Sequence, residues 1–156
     1  MRALLRDLAL EHCPPFFRDR QFIAALAAGF GFWIALRWIT PDGGSSELSL
    51  SVLLSLCLNQ PALEELIFRG VLQGELLRQP WGLVKRFGLS GANILTSLVF
   101  TGLHLFTHPP LWALGVFIPS LLFGHFRERH NSLYPPLALH IYYNTGYFLT
   151  TGLGNL

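Results

Sequence analysis

The chain has 156 residues, 51% of them apolar and only 13% charged, and its mean hydropathy is +0.43. Soluble domains carry about 25% charged residues, so the composition describes a membrane protein or an unusually apolar soluble one. The net charge of +2 is small, the acidic residues among the N-terminal arginines argue against a polybasic nucleic-acid arm, and two cysteines in unlike surroundings, Cys13 polar and Cys57 apolar, argue against a disulfide framework.

The length predicts one domain, 1–156, with 1–20 as a juxtamembrane segment. Residues 2–12 place Leu4, Leu5 and Leu8 on one face of a short amphipathic helix suited to a membrane surface, which Pro14 and Pro15 end. The N-terminus mixes Asp7, Glu11 and Asp19 with its arginines and has no long apolar run, unlike a cleaved signal peptide. Five hydrophobic segments follow. The first runs from Gln21 to Ile39, about the 20 residues a crossing needs, with Trp33 and Trp38 suited to the far interface. After a polar loop at 40–47, Leu48 to Leu77 forms the second, read as one tilted helix kinked at Pro61 or as two half-helices. A basic loop, Arg78 to Arg86, leads to the third segment, Leu89 to Phe106. A turn at 107–110 leads to the fourth, Leu111 to Phe126. A charged loop at 126–131 leads to the last, Leu133 to Leu153, with Pro135 and Pro136 near its start.

The predicted fold is therefore all-α, a polytopic transmembrane helix bundle of about five spans plus a surface helix. Alternating crossings put Arg2, Arg6, Arg18, Arg20, then Arg78, Lys85, Arg86, then Arg127 and Arg129 on one side. The positive-inside rule makes that side the cytoplasm, giving an N-terminus inside and a C-terminus outside.

Six polar residues lie within these apolar runs: Glu64, Glu65, Arg69, His104, His140 and Asn144. Ionisable groups are costly in a bilayer, so each is a functional-site candidate. Glu65 and Arg69, four apart in the favourable order, are expected to pair. Glu64, about 100° around the helix, is left to face another helix or water, where burial raises a carboxyl toward a general-base range. His140 and Asn144 share a face and can direct N–H donors at one point, and Tyr147 continues their stripe. Together these parts suit amide hydrolysis. Glu64, assisted by His104, deprotonates a water, while His140 and Asn144 polarise the scissile carbonyl. Glu65 and Arg69 support the helix, and no serine or cysteine nucleophile is required.

At these residues the chain resembles the CPBP family (CAAX-processing and bacteriocin-processing, or Abi), intramembrane proteases of glutamic type. Its first motif, Glu-Glu-x-x-x-Arg, is matched by Glu64-Glu65-Leu66-Ile67-Phe68-Arg69. Its second, Phe-x-x-x-His, is matched by Phe100-Thr101-Gly102-Leu103-His104, and its third, a His four before an Asn, by His140-Ile141-Tyr142-Tyr143-Asn144. The ordered set covers about residues 60 to 150. The resemblance implies an endopeptidase working in a membrane cavity on a membrane-anchored protein or peptide, near its C-terminus or in the anchored segment. Glu64 and His104 match the water-activating pair, His140 and Asn144 the oxyanion-stabilising pair, and Glu65 and Arg69 the supporting positions. Phe68, Phe100 and Tyr147 are candidates for the substrate groove. No cofactor, metal or nucleic-acid partner is expected. Better-known members have about eight spans, so five look like a minimal catalytic core, suited to trimming C-terminal sorting tails or maturing peptides as well as to prenylated substrates.

Three other readings stand beside this one. Glu64, His104 and His140 have the ligand types of a catalytic zinc site, although no His-Glu-x-x-His is present. A non-enzymatic immunity or partner-binding protein would keep the helices and tolerate Glu64→Gln. A proton or ion pathway also uses Glu and His within spans. His12, His108, His125 and His130 look peripheral; His108, four residues past His104, is the one placed to reach the rim of the site.

Overall fold

A computed structural model describes residues 2–39 and 49–151. The polar loop expected at 40–47 and the segment ends at Leu48 and Leu153 lie outside the described residues. The protein is mostly helical. In chain order come α1 (Arg2–Asp7), a 3-10 turn (Phe16–Arg18), α2 (Arg20–Ile39) and α3 (Leu50–Leu76). A 3-10 turn (Pro80–Leu83) and a two-stranded hairpin of β1 (Lys85–Arg86) and β2 (Leu89–Ser90) come next. The chain continues through α4 (Gly91–His104), α5 (Pro110–Gly115), α6 (Phe117–His130) and α7 (Tyr134–Thr151). Two compact units are formed: residues 1–14 with 64–137, and residues 15–63 with 138–156.

In the second of these units, Asp19 caps α2 by accepting from the Gln21 amide at 2.9 Å. Phe22, Ala25 and Gly29 form the buried stripe of α2. The hydroxyls of Tyr142 and Tyr143 on α7 donate to the carbonyls of Leu26 (3.1 Å) and Ala25 (2.9 Å). Close approach needs Gly146, because any Cβ there would run into the Trp33 indole. The other side of α2 exposes Phe30, Phe32, Ile34 and Trp38.

The helix α3 runs through Pro61 without breaking into two half-helices. A π-helical stretch, Ser55–Asn59, stands just ahead of the proline. Proline lacks an N–H and crowds the carbonyl four residues earlier, here Cys57. The wider π turn absorbs both effects. A second π stretch, Leu66–Leu72, contains Arg69.

In the first unit, Ser90 caps α4 through the Asn93 amide at 2.9 Å. Its buried face is Ala92, Asn93, Thr96, Ser97, Phe100 and Thr101, while Leu95, Leu98, Val99 and Leu103 are exposed. The helix α3 does the same: Glu65, Arg69 and Gln73 are fully buried, whereas Leu63, Ile67 and Val71 are 60%, 55% and 51% exposed. Polar residues inside and leucines outside is the distribution that lipid, not water, favours.

Helix bounds differ from the sequence expectation in three places. The α1 helix stops at Asp7, and residues 9–12 are instead held by Leu133 N–H on the Ala9 carbonyl (2.9 Å), Ser132 on His12 (2.7 Å) and Tyr134 on Leu10 (3.3 Å). The segment expected as a charged loop at 126–131 is helical to His130 and ends on Asn131 in the left-handed conformation. Cationic side chains suit a helix C-terminus, and Arg127 is buried there, donating to the Arg69 carbonyl at 3.2 Å. Finally, two helices among the described residues, α2 and α3, are long and apolar enough to cross a membrane. The third and fourth expected spans are shorter, α4 having 14 residues, or about 21 Å at the α-helical rise.

Candidate functional site

The polar core of the first unit is built on Arg69. Its Nη1 lies 3.2 Å from Glu65 Oε1, with both side chains fully buried. Its Nη2 donates to the Ser120 carbonyl (3.1 Å) and hydroxyl (2.7 Å). The guanidinium also lies 4.7 Å from the ring centre of Phe100 and 5.3 Å from that of Phe123. One side chain thus joins α3 to α4 and α6. The stripe continues one turn on at Gln73, which donates to the Gly124 carbonyl (3.1 Å) and Glu128 (2.8 Å). Glu128 also accepts from the Ser90 hydroxyl. Sequence reasoning missed Ser120, Phe123, Gln73 and Glu128. The i, i+4 repeat Glu65, Arg69, Gln73 and the serine within an apolar run were the available signals.

Phe100 is 1% exposed and has Arg69 over its ring, Phe68 edge-on at 4.9 Å and His104 at 4.5 Å. Of the groove candidates it is the one enclosed by packing. Phe68 is half-buried beside it, and Tyr147 is half-buried against Phe148 at 5.3 Å.

His104 lies at the end of α4, partly exposed, with Nδ1 2.8 Å from the Phe100 carbonyl oxygen. A carbonyl oxygen carries no proton, so Nδ1 is the donor and the lone pair of the neutral ring lies on Nε2. This is the tautomer a base needs. Beyond it, the His108 ring centre is 5.6 Å away and that of Trp112 is 5.9 Å, both near parallel to His104. Burial holds His108 below the ordinary imidazole range. The charge of His104 adds to this, and a hydrogen bond to the His104 backbone and the Glu64 carboxylate oppose it. Glu64, half-buried on α3, is therefore within electrostatic range of His108.

In the other unit His140 is buried on α7, one turn before Asn144. Asn144 Nδ2 donates to the Leu56 carbonyl at 3.1 Å. Leu56 lies in the first π stretch, where carbonyls leave the α-helical ladder. One amide N–H is thus engaged, and the side chain has a second. Among the described residues no three His, Cys, Asp or Glu side chains are grouped to hold a metal ion. Cys13 and Cys57 are free thiols.

Inside-out helices around a buried ion pair define an integral membrane protein. The type II CAAX prenyl endopeptidase Rce1-like family model matches residues 46–146, which include every motif residue above. The chain belongs to that family, a family of membrane proteases. No curated protein and no solved structure matches the chain.

Proposed function

We propose that the protein is a glutamic-type intramembrane endopeptidase, cutting a membrane-anchored protein or peptide near its C-terminus or within the anchored segment. Glu64 takes a proton from a water that His104 holds through Nε2. The water oxygen bonds to the scissile carbonyl carbon, and the charge that collects on the carbonyl oxygen is met by N–H donors of His140 and Asn144. The proton passes to the departing amide nitrogen, the C–N bond breaks, and a carboxylate and an amine are left. Such donors contribute about 3–4 kcal/mol each, and a positioned acid–base group about 10²–10⁴ in rate.

The observation that carries this reading is the bond from His104 Nδ1 to the Phe100 carbonyl, which leaves Nε2 as the lone-pair nitrogen. The ring contacts Phe68–Phe100–His104 add to it, since they bring the second motif against the helix of the first. Glu65 and Arg69 are the supporting pair, and Phe68 and Tyr147 face the substrate. Substrates with C-terminal sorting tails suit the short chain as well as prenylated ones do. We place the protein in a bacterial inner membrane with five crossings and the N-terminus inside. The polar-inside face of α4 supports its crossing despite its length.

The test is incubation of purified protein with membrane-anchored peptides, with and without a prenyl group, read by mass spectrometry. Wild type should yield two fragments, with and without a chelator, while Glu64→Ala and His104→Ala yield none. Loss of activity with removal of stoichiometric zinc would favour the metalloprotease, and intact substrate across a broad library a non-enzymatic role.

A further inference from the structure

The connection from α3 to α4 is ordered by its own hydrogen bonds. Gly82 N–H donates to the Gln79 carbonyl (3.0 Å), Val84 N–H to the Trp81 carbonyl (3.2 Å) and Gly91 N–H to the Val84 carbonyl (3.0 Å). In the hairpin Lys85 stands opposite Ser90, and Arg86 opposite Leu89. A Cβ at Gly82 would run into the Leu76 carbonyl, and one at Gly91 into the Trp81 carbonyl. The segment is therefore folded tightly onto both helix ends.

Its outer surface is ill suited to water. Trp81, Leu83 and Val84 are exposed, and the Phe87 ring wholly so. Lys85 and Arg86 are exposed as well, and neither forms an ion pair among the described residues. Arg78, by contrast, is held by Asp7 and Glu75, each at 3.2 Å. No Asp or Glu occurs between Glu75 and Glu128, so the segment's charge is uncompensated locally. Phe87 also adopts φ 53°, where Asn or Gly would be at ease and a Phe is strained. A strained residue with a bare aromatic ring points to a contact outside the chain.

We propose that this segment is an interfacial site for anionic lipid. Trp81 and Phe87 enter the boundary between headgroups and acyl chains, and Lys85 and Arg86 take lipid phosphates. The helix α3 is long and apolar enough to cross a membrane, and the segment begins directly after its end at Leu76, at the bilayer surface. Aromatic rings beside cations are the side chains that this boundary favours, and each Lys or Arg there is drawn to an anionic leaflet. An acidic soluble partner would suit the cations alone, whereas the bilayer also takes Trp81, Leu83, Val84 and Phe87. The inference needs α3 to cross a membrane and is independent of the peptidase chemistry.

The test uses the full chain in nanodiscs of phosphatidylcholine with and without phosphatidylglycerol. The indole added by Phe87→Trp, read as the difference from wild type, should be quenched by lipid brominated high on the acyl chain and shielded from acrylamide. Spin-labelled phosphatidylglycerol should be enriched at the protein over spin-labelled phosphatidylcholine. Lys85→Gln with Arg86→Gln should cut that preference at least about threefold, and high salt should weaken it in wild type. Phe87→Asn, whose side chain suits the turn, should lower it too without loss of fold. An added indole that stays in water, or a lipid preference that survives Lys85→Gln with Arg86→Gln, overturns the site. So does an acidic protein that binds the segment while the indole remains in water, which would assign the patch to a soluble partner. None of these readouts involves peptide cleavage, so they stand or fall apart from the proposed protease function.

Discussion

Arg69 Nη1 and Glu65 Oε1 meet at 3.2 Å with no solvent exposure on either side chain. Removing one partner of a buried pair leaves an uncompensated charge, which costs about 3–5 kcal/mol, whereas replacing both by apolar groups is often near neutral. Arg69→Met should therefore lower thermal stability in detergent sharply, and adding Glu65→Leu should recover most of the loss. A double variant no more stable than the single one would mean that the bonds from Arg69 to Ser120, and not the ion pair, hold α3 to α6.

The helices were largely legible in the sequence, because long, mostly apolar runs mark 21–39, 48–77 and 133–153 whatever they pack against. The bounds that failed did so for identifiable physical reasons. Charged residues at 126–130 read as a loop, but Arg127 turns inward to the Arg69 carbonyl, a long-range contact that no local pattern encodes. Pro61 read as a kink in one helix or as a break between two half-helices, and the helix is continuous, with a π stretch just ahead of the proline. At the site, the pairing of Glu65 with Arg69 follows from spacing four. Ser120, on another helix, is brought in by tertiary packing alone.

His108 sets a pH dependence of stability. Its folded-state value lies below 6.5, with burial as the main cause. Above about pH 6.5 the ring is neutral in both states and contributes no difference. As the pH falls below that, the unfolded chain binds a proton that the folded chain resists, so stability drops until the folded value is passed. Wild type should therefore lose thermal stability relative to His108→Phe as the pH falls below about 6.5, with a constant difference from pH 7 to 9. A difference that is flat throughout would contradict the lowered value of this partly exposed ring.

Asn144 separates catalysis from packing. Its bond to Leu56 is worth about 1 kcal/mol, while loss of one oxyanion donor costs about 10²–10³ in rate. Asn144→Ala should show a small drop in melting temperature and a large drop in kcat. If stability falls and kcat does not, the residue is helix glue alone.

The hairpin turn holds Phe87 at φ 53°, followed by Gly88 at φ 82°, with the phenyl ring wholly exposed. Two left-handed positions make the type I′ turn that prefers Asn-Gly. Phe87→Asn should relieve about 1 kcal/mol of backbone strain, seen as slower amide exchange at residues 85–90. Faster exchange would show that the ring contributes more than its backbone costs.

The most direct measurement is single-turnover cleavage of a membrane-anchored peptide by Glu64→Gln beside wild type in nanodiscs. Glutamine keeps the shape of Glu64 and removes its capacity to accept the water proton. The account predicts a fall of at least about 10² in rate with peptide binding unchanged. A variant that cuts within threefold of wild type would show that the chemistry belongs to another group.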